Sequence, residues 1–357
     1  MYSPLSVEYR RLGRSGLRIS TPVLGCQSYG NPNWNSWVLP EEKAIPVLKA
    51  TWDVGITTFD TANMYSNGAS EKILGKFIKQ NNIPRKNIVI IDKIRFLVDN
   101  DDMSTISSIT KPGLRNERDY VNHDGLSRAG IFNQVKACLG RLDTDYIDIL
   151  LLHAPDGETP FEETVRALNN LVRTGTARYI GASNVRAWQF AEMNAVAQNN
   201  GWTQFSCVQM EHSLLYRPEE LELFVYCDYK GIGVLGHAAL NNGLLARTYG
   251  SLSERVAALA GTPFELKLRE SDVKIIGRIE EVAKKRGWSM AQVALAWSMS
   301  RVNSPMVGVN SVQRIHDNLI GGKVLTGEEI KYLEELLMLP YSAVTIPVRR
   351  ASDEFGG

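Results

Sequence analysis

The chain has 357 residues, 44% of them hydrophobic and 22% charged, with a formal net charge of +1. That length permits one large α/β domain or two smaller ones, and the near-zero charge leaves no electrostatic footprint for nucleic acid or an acidic membrane. The basic run Lys284-Lys285-Arg286 falls on a predicted helix and reads as a solvated face. No stretch of about 18 apolar residues occurs and MYSPLSVEYRRLG has no apolar signal core, so a cytoplasmic location is expected. The four cysteines, Cys26, Cys138, Cys207 and Cys227, make no C-x-x-C pair, which argues against a zinc site or a disulfide framework. Cys26 and Cys207 sit in apolar runs, as buried thiols of a reducing compartment do.

In chain order, YRRLGRSGLRIS (Tyr9–Ser20) predicts a β-hairpin around Gly13 and Gly16. A unit then recurs: a short apolar run, a helix-period segment, and a glycine that closes the helix, as at Gly55, Gly175 and Gly231. The runs are Val23–Ser28, Thr57–Thr61, Asn87–Lys93, Ile147–His153, Ala177–Ser183, Phe205–His212, Gly233–Ala238 and Asn303–Val309. The helices between them are Glu41–Trp52, Ser70–Gln80, Arg128–Arg141, Phe161–Arg173, Arg186–Asn199, Pro218–Lys230, Asp272–Lys285 and Met290–Met299, with two more at Val312–Ile320 and Thr326–Leu337. Apolar runs alternating with helices, without a linker, predict a closed (β/α)8 TIM barrel, a single domain over residues 1–357. A doubly wound dinucleotide fold would carry G-x-G-x-x-G after its first strand, and LGCQSYGNPNW does not. Long segments follow the third strand (Ile94–Asp124) and the seventh (Asn241–Arg269), on the face where barrels build their sites.

The strand ends carry the chemistry. The second run ends in Asp60, the third in Lys93, the fourth in His153 and the fifth in Ser183 and Asn184; the sixth carries Gln209 and His212, and the seventh ends near His237. Taken singly, Asp60 reads as a turn residue, Lys93 as a solvated strand end and His153 as a core histidine; His212 reads equally well as part of the barrel wall. Gathered on one rim with Tyr65, they make a site. A tyrosine with an ordinary pKa of about 10 becomes a useful acid when an ammonium within about 4–6 Å lowers that value by about 1–3, worth about 1.4–4 kcal/mol. The lysine needs an anion to hold it, which Asp60 provides, and a histidine beside the tyrosine orients a carbonyl oxygen. Such a set protonates an oxygen as it gains negative charge, which matches hydride addition to a carbonyl.

The motifs FDTANMYSNGASEKILGK, IVIIDK, TDYIDILLLHAPD, YIGASNV, VQMEHSLLYR and VNSVQRIHDNL, in this order and spacing, resemble the aldo-keto reductase superfamily over nearly the whole chain. GCQSYGNPNWNSWVL and VNHDGLSRAGIF are most similar to its fungal aryl-alcohol dehydrogenase-like branch. The resemblance implies a catalytic tetrad of Asp60, Tyr65, Lys93 and His153, with Tyr65 the general acid in reduction and the base in oxidation. It implies NADPH/NADP+ as cofactor: Ser183, Asn184 and Gln209 on the carboxamide, Arg314 and Asn318 on the 2′-phosphate and adenine, and His237, Ala238, Leu240, Gly243 and Gly308 along its path. It also implies a hairpin plugging the bottom of the barrel.

The seventh strand departs from the family's pattern. GHAALNNGLLAR puts His237 where relatives stack an aromatic ring on the nicotinamide, and Ala238 where they carry serine. Asn310 stands where many have a basic residue, and His212 replaces a common tyrosine. Tyr29, Trp34 and Trp37 are expected at the substrate pocket, which favours aryl or polycyclic carbonyls, although the same rings serve equally to pack the loop on the rim. Residues 341–357 form either a mobile tail or a cap over the pocket. The leading expectation is an NADPH-dependent aldehyde or ketone reductase of secondary metabolism. The alternatives are an NADP-binding regulatory subunit with slow turnover, like potassium-channel β-subunits, and chemistry altered at His237. The partner expected is a small-molecule carbonyl, with no nucleic acid, membrane or metal.

Overall fold

Strands covered on both faces read as unbroken apolar runs, and IDILLL (Ile147–Leu152) is buried at every position. A computed structural model describes residues 7–251, 253–262 and 265–337; the proposed tail 341–357 lies outside them. Strands β1 (Glu8–Arg11) and β2 (Arg18–Thr21) pair antiparallel. Strands β3 (Val23–Gly25), β4 (Thr58–Asp60), β5 (Val89–Ile94), β6 (Ile147–Leu152), β7 (Ala177–Ser183), β8 (Cys207–Glu211), β9 (Gly233–His237) and β10 (Ser304–Val307) close a parallel barrel in chain order, β10 returning to β3. Helices follow the strands, so the expected (β/α)8 barrel with its N-terminal hairpin is the fold.

Two compact units make up the chain. Pro22–Phe205 with Gly308–His316 is one, and contains β3 to β7. Its helix Phe161–Arg173 buries Thr164, Val165, Leu168 and Leu171 along one stripe, the spacing that a helix needs to cover a sheet. The other unit contains the hairpin, Ser206–Val307 and the helix Gly327–Glu334. Here the hairpin turn meets the N-terminal end of β9. Arg14 donates its backbone N–H to the Gly231 carbonyl at 2.7 Å, and a Cβ on Gly13 would lie 2.5 Å from that oxygen. Only glycine fits there, at a φ of +57°.

Several boundaries move from their expected places. Cys26–Ser28 is a 3₁₀ turn rather than strand, and His212 falls one residue past β8. The helix expected over Pro218–Lys230 splits into a 3₁₀ turn at Pro218–Glu220 and a helix over Leu223–Lys230, because Glu222 leaves helical geometry at φ −135°. Ile94–Asp124 contains a short helix, Ser107–Thr110, and a 3₁₀ turn, Pro112–Asn116; Asn241–Arg269 contains the helix Glu254–Leu259. All four cysteines are buried and free. No helix among the described residues is long and apolar enough to cross a membrane.

Candidate active site

Register places the charged residues. Thr58, Phe59 and Asp60 of β4 pair with Val89, Ile90 and Ile91 of β5, and Lys93 pairs with Leu151 of β6. Ladder bonds continue past β4 and β6, from Thr61 N–H to the Ile91 carbonyl at 2.8 Å, from Asn63 N–H to that of Lys93 at 3.0 Å and from His153 N–H to that of Ile94 at 2.9 Å. Asp60, Lys93 and His153 therefore stand side by side at the C-terminal ends of three neighbouring strands.

Lys93 is 1% exposed and each of its three ammonium protons has an acceptor. Nζ lies 2.6 Å from Asp60 Oδ2, 2.9 Å from the Thr61 carbonyl and 3.4 Å from Tyr65 Oη. Burial alone would pull its pKa down; the charge of Asp60 and the bonds to Asp60 and Tyr65 outweigh it and hold the ammonium above its ordinary range. The Tyr65 ring meets the His153 ring edge to face at 6.0 Å between centroids, and Phe96 meets the same imidazole at 5.1 Å. The half-buried His153 accepts a bond from Asn184 Nδ2 at its carbonyl, 3.0 Å.

The turn carrying Tyr65 is held by residues that the strand-end reading missed. Ser66, Asn67 and Gly68 are all left-handed, with φ of +47°, +46° and +87°. Asn67 suits that region and donates through Nδ2 to the Asp102 and Thr105 carbonyls and to Ser107 Oγ, pinning the segment after β5 to the turn. A Cβ on Gly68 would lie 2.4 Å from Arg141 Cδ. The Asn-Gly dipeptide of YSNG was the available signal for a tight turn.

Behind Lys93, the side chains of Glu71, Asp92 and Cys138 bring one ligand-type atom each within 4.8 Å of one another. The Arg141 guanidinium reaches Glu71 at 2.6 Å and Cys138 Sγ at 3.5 Å. Asp92 Oδ1 accepts the Lys93 N–H, and the buried carboxyl also faces the Cys138 thiol. Burial, then the charge of Glu71, push the Asp92 pKa well above the carboxylate range, against the pull of Arg141. The native chain thus keeps a proton that the unfolded chain releases above about pH 4. Stability from this group is complete below that value and falls as pH rises toward the native one. Asp92→Asn should remove the fall, making the protein more stable at pH 8 by about 1–3 kcal/mol, with the gap closing near pH 4. Urea unfolding at both pH values checks this; a destabilisation of equal size at both would contradict it.

The remaining sequence-nominated residues fall as follows. In the first unit, Ser183 is buried at the end of β7, and Asn184, at φ +49°, donates to Ser183 Oγ at 3.1 Å. Gly308 is exposed, and Arg314 is exposed with Nη1 donating to Asn310 Oδ1 at 2.7 Å. Tyr29 is fully buried and donates to the Val309 carbonyl at 2.8 Å, so its hydroxyl serves the fold. Trp34 and Trp37 are buried and pack edge to face at 6.2 Å. In the second unit, Gln209 is buried within β8, half-buried His237 ends β9, and Asn318 is buried at the end of the helix Val312–Asn318. Half-buried Ala238, Leu240 and Gly243 lie in the turn after β9, Ala238 and Gly243 being left-handed. His212 is structural: its ring stacks on Trp297 at 4.9 Å and its Nε2 lies 2.7 Å from Glu220 Oε1.

The model of the aldo/keto reductase family matches residues 23–338. The versiconal hemiacetal acetate reductase of Aspergillus parasiticus is 46% identical over 92% of this chain and 96% of its own. The aldo-keto reductase AFTS1 of Alternaria alternata is 45% identical over 91% and 90%. A Schizosaccharomyces pombe protein assigned by name to the aryl-alcohol dehydrogenases is 42% identical over 96% and 99%. A closed eight-stranded barrel, the Asp60–Lys93–Tyr65 contacts at its strand ends and these matches over nearly its full length agree that the chain belongs to the aldo/keto reductase family.

Proposed function

We propose that this oxidoreductase reduces an aryl or polycyclic aldehyde or ketone to the alcohol with NADPH, through Tyr65 as general acid. The observation that carries the reading is the buried Lys93 ammonium, fixed by Asp60 at 2.6 Å and in contact with Tyr65 Oη at 3.4 Å. A cation at that distance favours the ionised phenol and eases release of its proton. The contact is long, as such bonds commonly are before substrate binds.

A bound nicotinamide supplies the hydride. Tyr65 Oη gives its proton to the carbonyl oxygen as that oxygen gains charge, and Lys93 stabilises the phenolate left behind. Asp60 keeps the ammonium from turning away. His153, wedged between the Tyr65 and Phe96 rings, holds the substrate oxygen toward Tyr65. In the oxidative direction Tyr65 takes the proton back. The Phe96 ring beside His153 and the reductase activity named for the Aspergillus relative support an aryl or polycyclic carbonyl.

Each unit carries groups that suit such a cofactor. In the first, Ser183 and Asn184 carry hydroxyl and amide groups of the kind that a carboxamide requires; in the second, Gln209 carries an amide and His237 a flat imidazole face. The left-handed backbone at Ala238, Asn241, Asn242 and Gly243 is of the kind that turns N–H groups toward an anion. Arg314 makes no ion pair among the described residues; its contact is with neutral Asn310, so its charge is available to a 2′-phosphate. Arg314→Ala should weaken NADPH binding about tenfold or more and NADH binding far less. Fluorescence titration of both cofactors checks this, and an equal loss for both would remove Arg314 from phosphate recognition.

Single-turnover stopped-flow oxidation of bound NADPH on a panel of aryl aldehydes tests the reading. A reductase gives fast, substrate-dependent hydride loss. Slow oxidation that is the same for every carbonyl would instead favour a regulatory cofactor-binding role.

A further inference from the structure

A cleft of about 180 Å³ opens beside the tetrad, lined by Arg95, Phe96, Lys111, Arg115, Asp124 and Asp156 among others. It shares a wall with the catalytic centre: Phe96 turns one ring between the Arg95 guanidinium, 4.4 Å from its centroid, and the His153 imidazole, 5.1 Å away.

Each of the charged groups around this cleft other than Arg95 has an ion-pair or hydrogen-bond partner. Lys111 is bound to Asp99 at 2.7 Å and Asp102 at 2.9 Å. Arg115 is bound to Asp124 at 3.0 Å and approaches Glu158 at 3.8 Å. Asp156 accepts the Leu126, Glu158 and Thr159 N–H groups and the Thr159 hydroxyl; burial opposes its ionisation, but these bonds hold it below the usual carboxylate range. Arg95 is the exception. Among the described residues its guanidinium makes no ion pair, and its Nε is buried with no acceptor. Arg95 is half-buried, but its Nε is closed off from solvent, and a donor left there without an acceptor is costly.

The backbone at Arg95 is unusual as well. It lies two residues beyond Lys93 with φ +151°, a region that side-chain-bearing residues rarely adopt. The strain is held on both sides: the Arg95 N–H donates to Gln134 Oε1 at 2.8 Å, and its carbonyl accepts from Gly125 N–H at 2.8 Å. Gln134 Oε1 is itself bound by Asn63 Nδ2 at 3.0 Å, from the segment that leads to Tyr65. Gln134 thus ties the Arg95 backbone to the segment that leads to Tyr65.

We propose that Arg95 is a specificity residue that receives a carboxylate carried by the substrate at a distance from its reacting carbonyl. The planar guanidinium fork matches a carboxylate, and the adjoining Phe96 face suits an aromatic or unsaturated spacer. This inference rests on the reductase reading of the same site.

The test compares 4-carboxybenzaldehyde with its neutral counterpart, methyl 4-formylbenzoate, in the full-length enzyme with NADPH. Wild type should prefer the acid in kcat/KM, mainly through KM, and the preference should fade with added salt. Arg95→Gln should lower the acid-to-ester ratio of kcat/KM about 10–100-fold, and Arg95→Lys, which keeps the charge without the fork, should restore part of it. Equal ratios in wild type and Arg95→Gln would overturn the proposal while leaving the reductase reading intact. If neither aldehyde is reduced, the reductase reading fails, and calorimetric titration with terephthalate still decides the anion site. Binding to wild type but not to Arg95→Gln supports it, and equal or absent binding overturns it.

Discussion

Replacing Tyr65 with phenylalanine is expected to lower kcat for carbonyl reduction about 10²–10⁴-fold while NADPH still binds. The substitution deletes one oxygen from a ring that is 9% exposed and leaves the packing on His153 in place. Lys93 keeps Asp60 and the Thr61 carbonyl, so the ammonium stays fixed and the fold is undisturbed. The loss should appear in kcat rather than KM, because the proton is given only as the oxygen acquires charge. Steady-state kinetics beside a cofactor titration checks this. A Tyr65→Phe enzyme with wild-type kcat would move the proton-donating role to another group.

Lys93→Met should fail in two separable ways. Activity falls because the phenolate loses its cation. Stability falls by about 3–5 kcal/mol, because Asp60, 3% exposed, is left as a buried charge without its ion-pair partner. Adding Asp60→Asn to Lys93→Met removes that charge and should recover most of the stability but none of the activity. Urea denaturation and kcat measured on the two variants resolve the two effects. If the double variant regained activity with its fold, Lys93 would be a structural ion pair and no part of the acid. If Lys93→Met unfolded no more easily than wild type, Asp60 would not depend on Lys93 in the way its burial implies.

Much of this site was legible in the sequence, because strand ends are a one-dimensional feature. A run of apolar residues closed by a polar one, as in TTFD, NIVIIDK and IDILLLH, marks both the strand and the rim it reaches. The closing glycines were legible for a similar reason, since the left-handed residue lies within two positions of the helix end: Gly231 has φ +69° and Gly175 +78°. What stayed hidden depends on contacts between distant segments. Nothing around Asn67 announces that its amide holds residues 102–107, and nothing around Arg95 announces a strained backbone braced by Gln134 and Gly125. His212 read equally well as wall or site until Trp297 and Glu220, far along the chain in one case, were seen against it. The surroundings of Asp92 likewise depend on Glu71 and Cys138, which come beside it from other parts of the chain.

The central claim, that Tyr65 protonates a carbonyl oxygen while a hydride reaches its carbon, meets its most direct test in isotope transfer. NADPH deuterated at its transferable ring hydrogen is mixed with an aryl aldehyde, and the product is read by mass spectrometry and NMR. The account predicts an alcohol with deuterium on the former carbonyl carbon, formed rapidly by wild type and about 10²–10⁴-fold more slowly by Tyr65→Phe. A product without that deuterium, or equal rates for the two proteins, would contradict it.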